Sequence, residues 1–549
     1  MHSHDQDTPP AYQPLLAPLL ATLETEPAAR EQAKPYLAAL LEAQEKGDTA
    51  IPVTPADQAW LQSRAWVGNG EIPTPTVLQN DLLQFHLYWL AEQQILQGLT
   101  PKVQAVEAQS GELDTDFKNQ ANAQALDPEK LEQIAQALPQ SLTLLTGGPG
   151  TGKTTTLAWL LAALLQQQPD LTIALVAPTG KAAQRMKEAL DKAIPTLPLT
   201  DVQKQHLQTL TPSTLHRLLG IGRTPQPRYH PDNPLAYDLI VVDEASMVDV
   251  LTLSKLVQAL KPNARLILMG DPNQLASVEA GNVLADLVKR FPATHRHLNR
   301  SHRFNEQIGG LADAVLAGEA EKAWQLLTDT QQTTLKQHPL NANQLLQTAE
   351  TGFTKFLSAL QSFQSGDAKT VGEHAQKLME DLTLFRILSP LRHHAQWGVT
   401  ALNQSLITRF QQQGLRPIAD GLYAGQPILI QENDYQTGLF NGDQGIILPL
   451  DGLAAAWFEE GSQMRAIPVS QLPKWETAFA MTVHKAQGAE FAEVLLVLPD
   501  EPNPLLTREL VYTALTRAKK RFILAANQTS LKQSIHNPTQ RITGINKEQ

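Results

Sequence analysis

Ten consecutive residues, Gly147 to Thr156 (GGPGTGKTTT), have the types and spacing to hold a phosphate chain. Gly147, Gly152, Lys153 and Thr154 fill the pattern G-x-x-x-x-G-K-[ST], with Gly148, Pro149, Gly150, Thr151 and Thr155 completing the loop. Glycines let backbone N–H groups close around an anion at a helix N-terminus, where the helix dipole also favours negative charge. Lys153 then reaches the β- and γ-phosphates, and the Thr154 hydroxyl is placed to ligate Mg²⁺. Asp243 and Glu244 stand next to each other about 90 residues further on, in YDLIVVDEASM. Asp243 is expected to hold Mg²⁺, directly or through water, and Glu244 to polarise an attacking water. Gln274, in LMGDPNQL, offers both a donor and an acceptor and so suits a γ-phosphate sensor.

Such groups work only where strands deliver them to one edge. Leu142–Thr146, Thr172–Ala177, Leu239–Val242 and Arg265–Met269 are apolar runs, each ending in a polar motif and separated by helical stretches such as Thr155–Leu165. This alternation predicts an α/β fold in which helices cover both faces of a parallel sheet and ligands sit at its C-terminal edge. Residues 305–380 read as helical and rich in Gln, Ala and Leu. A second alternating region starts near Leu382, is broken by a stretch of all-β character at 421–475, and resumes at Ala478. Glu31–Glu45 and Asp81–Leu96 show the i, i+3, i+4 apolar spacing of amphipathic helices, and 108–128 reads as a linker.

The 549 residues allow three or four domains, and no apolar run approaches the roughly 18–20 residues that span a bilayer. The polar, acidic start (MHSHDQDTPP) carries no secretory signal pattern, and a cytoplasmic protein without membrane partners is expected. With no cysteine, disulfides, cysteine zinc sites and iron–sulfur clusters are excluded. The net charge is −11, and residues 1–125 account for nearly all of it, holding 16 Asp and Glu against 6 Lys and Arg. That segment is suited to protein contact rather than to gripping phosphates.

In order along the chain, GGPGTGKTTT, APTGKAAQR (177–185), TLHRLLG (214–220), DEASM, GDPNQL, SHRF (301–304), TVHKAQGAEF (482–491) and VYTALTRAK (511–519) resemble the motifs of superfamily 1 helicases. In detail the succession is similar to the RecD family, alpha subunits of RecBCD-type exodeoxyribonuclease V complexes. The resemblance implies two RecA-like motor domains, at 126–304 and 381–549. It also implies a helical partner-binding domain at 1–125, a helical connection at 305–380, an SH3-like insertion at 421–475 and a small pin near 221–236. Arg303 and Arg517 match the two arginines that reach the γ-phosphate, Gln133 the residue that reads adenine, and Glu490 a position near the ribose. Pro178, Thr179, Gly180, His216, Thr482, His484 and Gln487 fall in motifs that contact single-stranded DNA or link it to the ATP site. An ATP-dependent 5′-to-3′ DNA helicase is implied, acting on single-stranded and tailed double-stranded DNA in recombination and double-strand break repair. Its implied partners are RecB-like and RecC-like subunits in a heterotrimer. A stand-alone helicase and a nucleotide-dependent DNA-binding assembly subunit are the alternatives.

Overall fold

The computed structural model describes residues 12–104, 112–222, 226–299, 306–364, 366–419, 421–434, 436–461 and 463–546. In the N-terminal region the run Glu31–Glu45 lies within the helix Pro27–Glu45, whose buried face carries Ala33, Leu37, Leu40 and Leu41. This region is not purely helical. Strands β1 (Ala50–Pro52), β2 (Val67–Gly68), β3 (Thr76–Gln79) and β4 (Leu82–Phe85) form a sheet in the order β1-β4-β3-β2. The expected helix Asp81–Leu96 therefore begins only at His86 and runs to Gln104. The reason lies in Leu82 and Leu83, which are buried as strand residues opposite β1 and β3. The helix packs on another, Val250–Gln258. A side chain at Gly98 would collide with Val257, so the close crossing depends on that glycine. The expected linker at 108–128 contains a helix, Thr115–Ala123, whose buried Phe117 meets Trp159 edge-on with centroids 5.5 Å apart. Burial of one aromatic converts that segment from connector to part of a core.

Six strands build the first large sheet: β5 (Leu142–Gly147), β6 (Ile173–Ala177), β7 (Ser213–Thr214), β8 (Leu239–Val242), β9 (Arg265–Gly270) and β10 (His295–Leu298). All neighbours are parallel, in the order β10-β5-β9-β8-β6-β7. The central strands are apolar throughout because both faces are covered. On β5, Leu142 and Leu144 enter one core and Leu145 the other. This order sets the C-terminal ends of β5, β9 and β8 side by side.

The second sheet is introduced by β11 (Leu335–His338), a strand inside the segment expected to be helical, and by β12 (Phe385–Ser389). The chain then leaves the sheet. A hairpin of β13 (Arg416–Ala419) and β14 (Leu422–Ala424) precedes five antiparallel strands: β15 (Gln426–Ile430), β16 (Gln444–Leu450), β17 (Leu453–Glu460), β18 (Gln463–Pro468) and β19 (Trp475–Thr477). The strands β14 to β19 occupy residues 422–477. The chain returns as β20 (Ala480–Thr482), β21 (Phe491–Val497) and β22 (Ala518–Ala525), giving a parallel sheet ordered β11-β22-β21-β12-β20. The proline-rich stretch 226–236 forms no strand pair beyond one isolated bridge, His230 to Asn233.

After the last helix, Gln528–His536, the chain crosses back to the first half of the molecule. Arg541 donates to the carbonyls of Ser277 and Gly281 at 2.7 Å each. The Ile542 N–H donates to the Asp48 carboxylate at 2.8 Å, its carbonyl accepts from the Thr49 N–H at 2.9 Å, and Ile545 is fully buried in the first domain's core.

Candidate active site

The phosphate loop leaves β5 and enters the helix Lys153–Gln167. Gly150 and Gly152 adopt φ of 79° and 87°, the left-handed region that costs other residues roughly 1 kcal/mol or more. A Cβ on Gly152 would also lie 2.6 Å from the Lys130 ammonium. Lys153 folds over the loop and donates to the carbonyls of Gly147 at 2.7 Å and Gly148 at 3.1 Å. Thr154 is half-buried on the first turn, Thr155 is exposed, and Thr151 donates to the Gly148 carbonyl at 2.9 Å.

β8 is buried along its whole length and releases Asp243 and Glu244 at its end. Glu244 sits at φ 51°, a strained backbone worth about 1–3 kcal/mol and of a kind that clusters at functional sites. Its N–H donates to Asp243 Oδ1 at 2.9 Å. Burial and then the neighbouring Glu244 carboxylate push Asp243 up to about 7, against the opposing pull of Lys153. Two carboxylates facing one ammonium leave uncompensated negative charge at the end of β8. That donor set of hard oxygens fits Mg²⁺.

The opposite wall comes from the second half of the chain. Arg517, 3% exposed, donates to Gln274 Oε1 at 2.8 Å, and Gln274 donates to Asp271 Oδ2 at 3.1 Å. The Glu244 and Asp271 carboxylates favour the charged guanidinium that burial opposes. The Tyr512 hydroxyl donates to the same Asp271 oxygen at 3.0 Å. Beside them, the Leu275 N–H donates to Thr513 Oγ1 at 2.9 Å and Gln487 Nε2 to the Leu275 carbonyl at 2.7 Å. Arg185 reaches over from the first domain to the Gly488 carbonyl. The loop after β9 is thus held by both halves of the molecule at once.

Lys153, Asp243, Glu244, Gln274 and Arg517 therefore share one cleft. Arg303 lies outside the described residues. Gln133 is half-buried on the helix Pro128–Ala137, and Glu490 is ion-paired with Lys519 at 3.1 Å. Pro178, Thr179 and Gly180 follow β6, where Thr179 caps the helix Gly180–Ala193 by accepting from the Ala182 N–H at 3.2 Å. His216 is exposed after β7, and Thr482 ends β20. His484 is held below the ordinary imidazole range by burial and then by the Arg541 guanidinium. Gln487 is tied into the cleft wall rather than left open on a surface.

Sequence reading missed Lys130, Asp271 and Tyr512. A Cβ on Gly148 would stand 3.1 Å from the Tyr512 hydroxyl, so this tyrosine touches the phosphate loop from the far domain. Asp271 could have been suspected from the motif GDPNQL. Lys130 and Tyr512 carry no local signal.

Residues 130–280 match the family described as an AAA domain, and 477–525 match the UvrD-like helicase C-terminal domain. The RecBCD enzyme subunit RecD of Mycolicibacterium smegmatis is 37% identical over 90% of this chain and 87% of its own length. The chain belongs to the RecD family. The Haemophilus influenzae RecD is 34% identical over 86% of this chain and 81% of its own length. The ATP-dependent RecD2 DNA helicase of Deinococcus radiodurans is 32% identical over 74% of this chain, but only 50% of its own length is covered. With 90% of the chain covered, the match takes in at least part of the 125-residue acidic N-terminal region, where sequence motifs are sparse. Among the described residues no helix of this RecD-family chain is long and apolar enough to cross a membrane.

Proposed function

We propose that this protein is the ATP-dependent 5′-to-3′ DNA helicase subunit of a RecBCD-type helicase–nuclease, working with RecB-like and RecC-like partners in double-strand break repair. The observation that carries the reading is the Arg517–Gln274 hydrogen bond across the cleft, which joins a guanidinium of the second domain to the sensor loop of the first. ATP bound at Gly147–Thr155 draws Lys153 from its loop carbonyls to the β- and γ-phosphates. Thr154 and Asp243 would hold Mg²⁺, which would supply neutralisation of the charge on the phosphate oxygens. Glu244 orients the attacking water, while Arg517 and Arg303 stabilise charge on the transferring group. Gln274 and Gln487 report the state of the γ-phosphate to both domains, because each is bonded within or across the loop 271–275.

Closure and reopening of the cleft then move the second domain's Thr482 and His484 relative to the first domain's Pro178–Gly180 and His216. A strand held by both sets advances with each cycle. Contacts of this kind read the backbone, so binding is salt-sensitive and independent of base sequence.

Strand displacement on duplexes with a 5′ or a 3′ single-stranded tail, alongside Lys153→Gln, tests the proposal. DNA-stimulated hydrolysis with unwinding from the 5′ tail only, lost in the variant, is expected. Unwinding from the 3′ tail alone would sink it. Hydrolysis without unwinding, restored by RecB-like and RecC-like subunits, assigns the motor to its complex. No restoration favours the DNA-binding assembly subunit.

A further inference from the structure

The two faces of the second sheet are used very differently. Phe522 and Leu524 of β22 point into the core that includes Tyr512 and Leu515, on the side of the nucleotide cleft. Residues of opposite parity point away, and there Phe385 and Ile523 join a separate core. At the start of β21 and β22, and along the edge strand β11, that second face carries ionisable groups instead. Lys336, His338, Glu493 and Arg521, with Lys520 at the register shift between β21 and β22, line a cavity of about 760 Å³, bordered on its other side by the helix Ala342–Gly352 and by Lys355 on the next helix, Thr354–Gln361.

The charge in this cavity is one-sided. Arg521 has the only carboxylate of the wall, Glu493, 3.6 Å away. Among the described residues Lys336, Lys355 and Lys520 form no ion pair, in a chain whose net charge is −11. The local field is positive enough that Lys336 and Arg521 add to burial in holding His338 below the ordinary imidazole range. Lysine on an edge strand also guards against strand pairing, which would account for Lys336. It does not account for Lys520, one strand further in, or for Lys355 on the helix that follows the covering one. Gln347 and Thr351, one turn apart on that helix, add neutral hydrogen-bonding groups to the same wall.

We propose that this groove is a second phosphate-binding site, taking the phosphodiester backbone of DNA outside the cleft between the motor domains. The choice of DNA as the source of the phosphates rests on the helicase reading above. No exposed aromatic lines the groove, so it grips backbone and does not stack bases. Its lysines reach phosphates as flexible point charges, and binding there is independent of sequence.

The test uses the full chain carrying Lys336→Ala, Lys355→Ala and Lys520→Ala together, all exposed positions that leave the core intact. Affinity for a tailed duplex is measured against salt, with hydrolysis stimulated by a short single-stranded oligonucleotide as the control. The slope of log affinity against log salt should shrink by about 2–3, since each lost phosphate contact removes roughly 0.7–0.9. Affinity at low salt should fall at least ~10-fold. Oligonucleotide-stimulated hydrolysis should stay within about twofold, and the matching Lys→Arg triple variant should restore the slope. An unchanged slope and affinity would overturn the proposal. So would an unchanged slope combined with lost protection by tripolyphosphate, which assigns the groove to a small phosphorylated molecule. Loss of co-purification with RecB-like and RecC-like subunits at unchanged slope would assign it to an acidic protein surface and equally overturn it. A wild-type chain whose hydrolysis ignores DNA would instead count against the helicase reading.

Discussion

Among the described residues the two halves of this chain meet at the nucleotide cleft and at the C-terminal tail, and these two meetings are built from different materials. In the nucleotide cleft hydrogen bonds predominate, Arg517 to Gln274, Tyr512 to Asp271, Thr513 to Leu275, Gln487 to Leu275 and Arg185 to Gly488, with the Leu275 side chain as the apolar contact. At the C-terminal tail a fully buried Ile545 and hydrogen bonds from Ile542 to the Asp48 carboxylate and from the Thr49 N–H to Ile542 fix the contact, with Arg541 spread over Ser277, Glu279 and Gly281. Both grip the same stretch, the first at 271–275 and the second at 277–281. Hydrogen bonds exchanged for bonds to water or phosphate cost little net, so the cleft can open and close. Burial of an isoleucine is worth about 2–5 kcal/mol on truncation to alanine and does not cycle. The difference assigns motion to the first contact and constancy to the second.

That contrast can be broken most strongly at Arg517. Arg517→Ala should lower the turnover of DNA-stimulated hydrolysis by roughly 10³-fold, the scale of an arginine that stabilises a transferring phosphoryl group. ATP affinity should change far less. If steady-state kinetics show KM rising while kcat holds, Arg517 serves binding and not the chemical step.

A smaller effect is expected where the tail docks. Ile545→Ala should loosen residues 541–546, seen as faster amide exchange there and at Asp48 and Thr49. Its global cost is capped near 2–5 kcal/mol because the tail can detach without unfolding the domains. Unchanged exchange at Asp48 and Thr49 would show that the tail is not what anchors this junction.

The subtlest effect is a pH dependence at the same junction. Asp286 accepts from Thr543 Oγ1 at 2.8 Å and from Asn546, and burial raises its pKa from 3.8 to about 6. Burial likewise raises the pKa of Glu92, which accepts from the Gly544 N–H and whose charge faces that of Asp286. Lys289 and Arg541 oppose the rise at Asp286. A carboxyl whose folded pKa is raised binds more protons folded than unfolded between the two values. Stability must then fall as pH climbs from about 4 to 6 and level off above, by about 3 kcal/mol for this one group. Asp286→Asn should flatten that slope in denaturant titrations at pH 4.5 and 7. An equally steep slope in the variant would move the effect to Glu92.

Legibility followed the same division. The phosphate loop, Asp243, Glu244 and Gln274 could be read because a closely fitted loop and strand-end carboxylates demand particular residues at particular spacings. Tyr512 and Lys130 could not, because each reaches the loop from a distant element and any long polar side chain looks alike in sequence. The strand β11 was read as helix, since its four residues LKQH have no pattern until β22 lies alongside. Asp81–Phe85 was read as helix for a similar reason. Leucines at 82 and 83 satisfy a helical spacing, and pairing with β1 and β3 overrides it. The cavity beside β11 was equally hidden, its lysines scattered between positions 336 and 520.

The sequence alone therefore determined the local chemistry: a phosphate loop, two adjacent carboxylates, the glutamine proposed as a sensor, and the alternation of strand and helix that brings them to one sheet edge. Backbone sterics, side-chain type and short-range periodicity are sufficient for that. Tertiary structure decided which distant groups complete the cleft, where the C-terminal tail docks, and which cations share a cavity. Those outcomes depend on strand order and on the burial of apolar faces, which are properties of the whole chain and not of any segment within it.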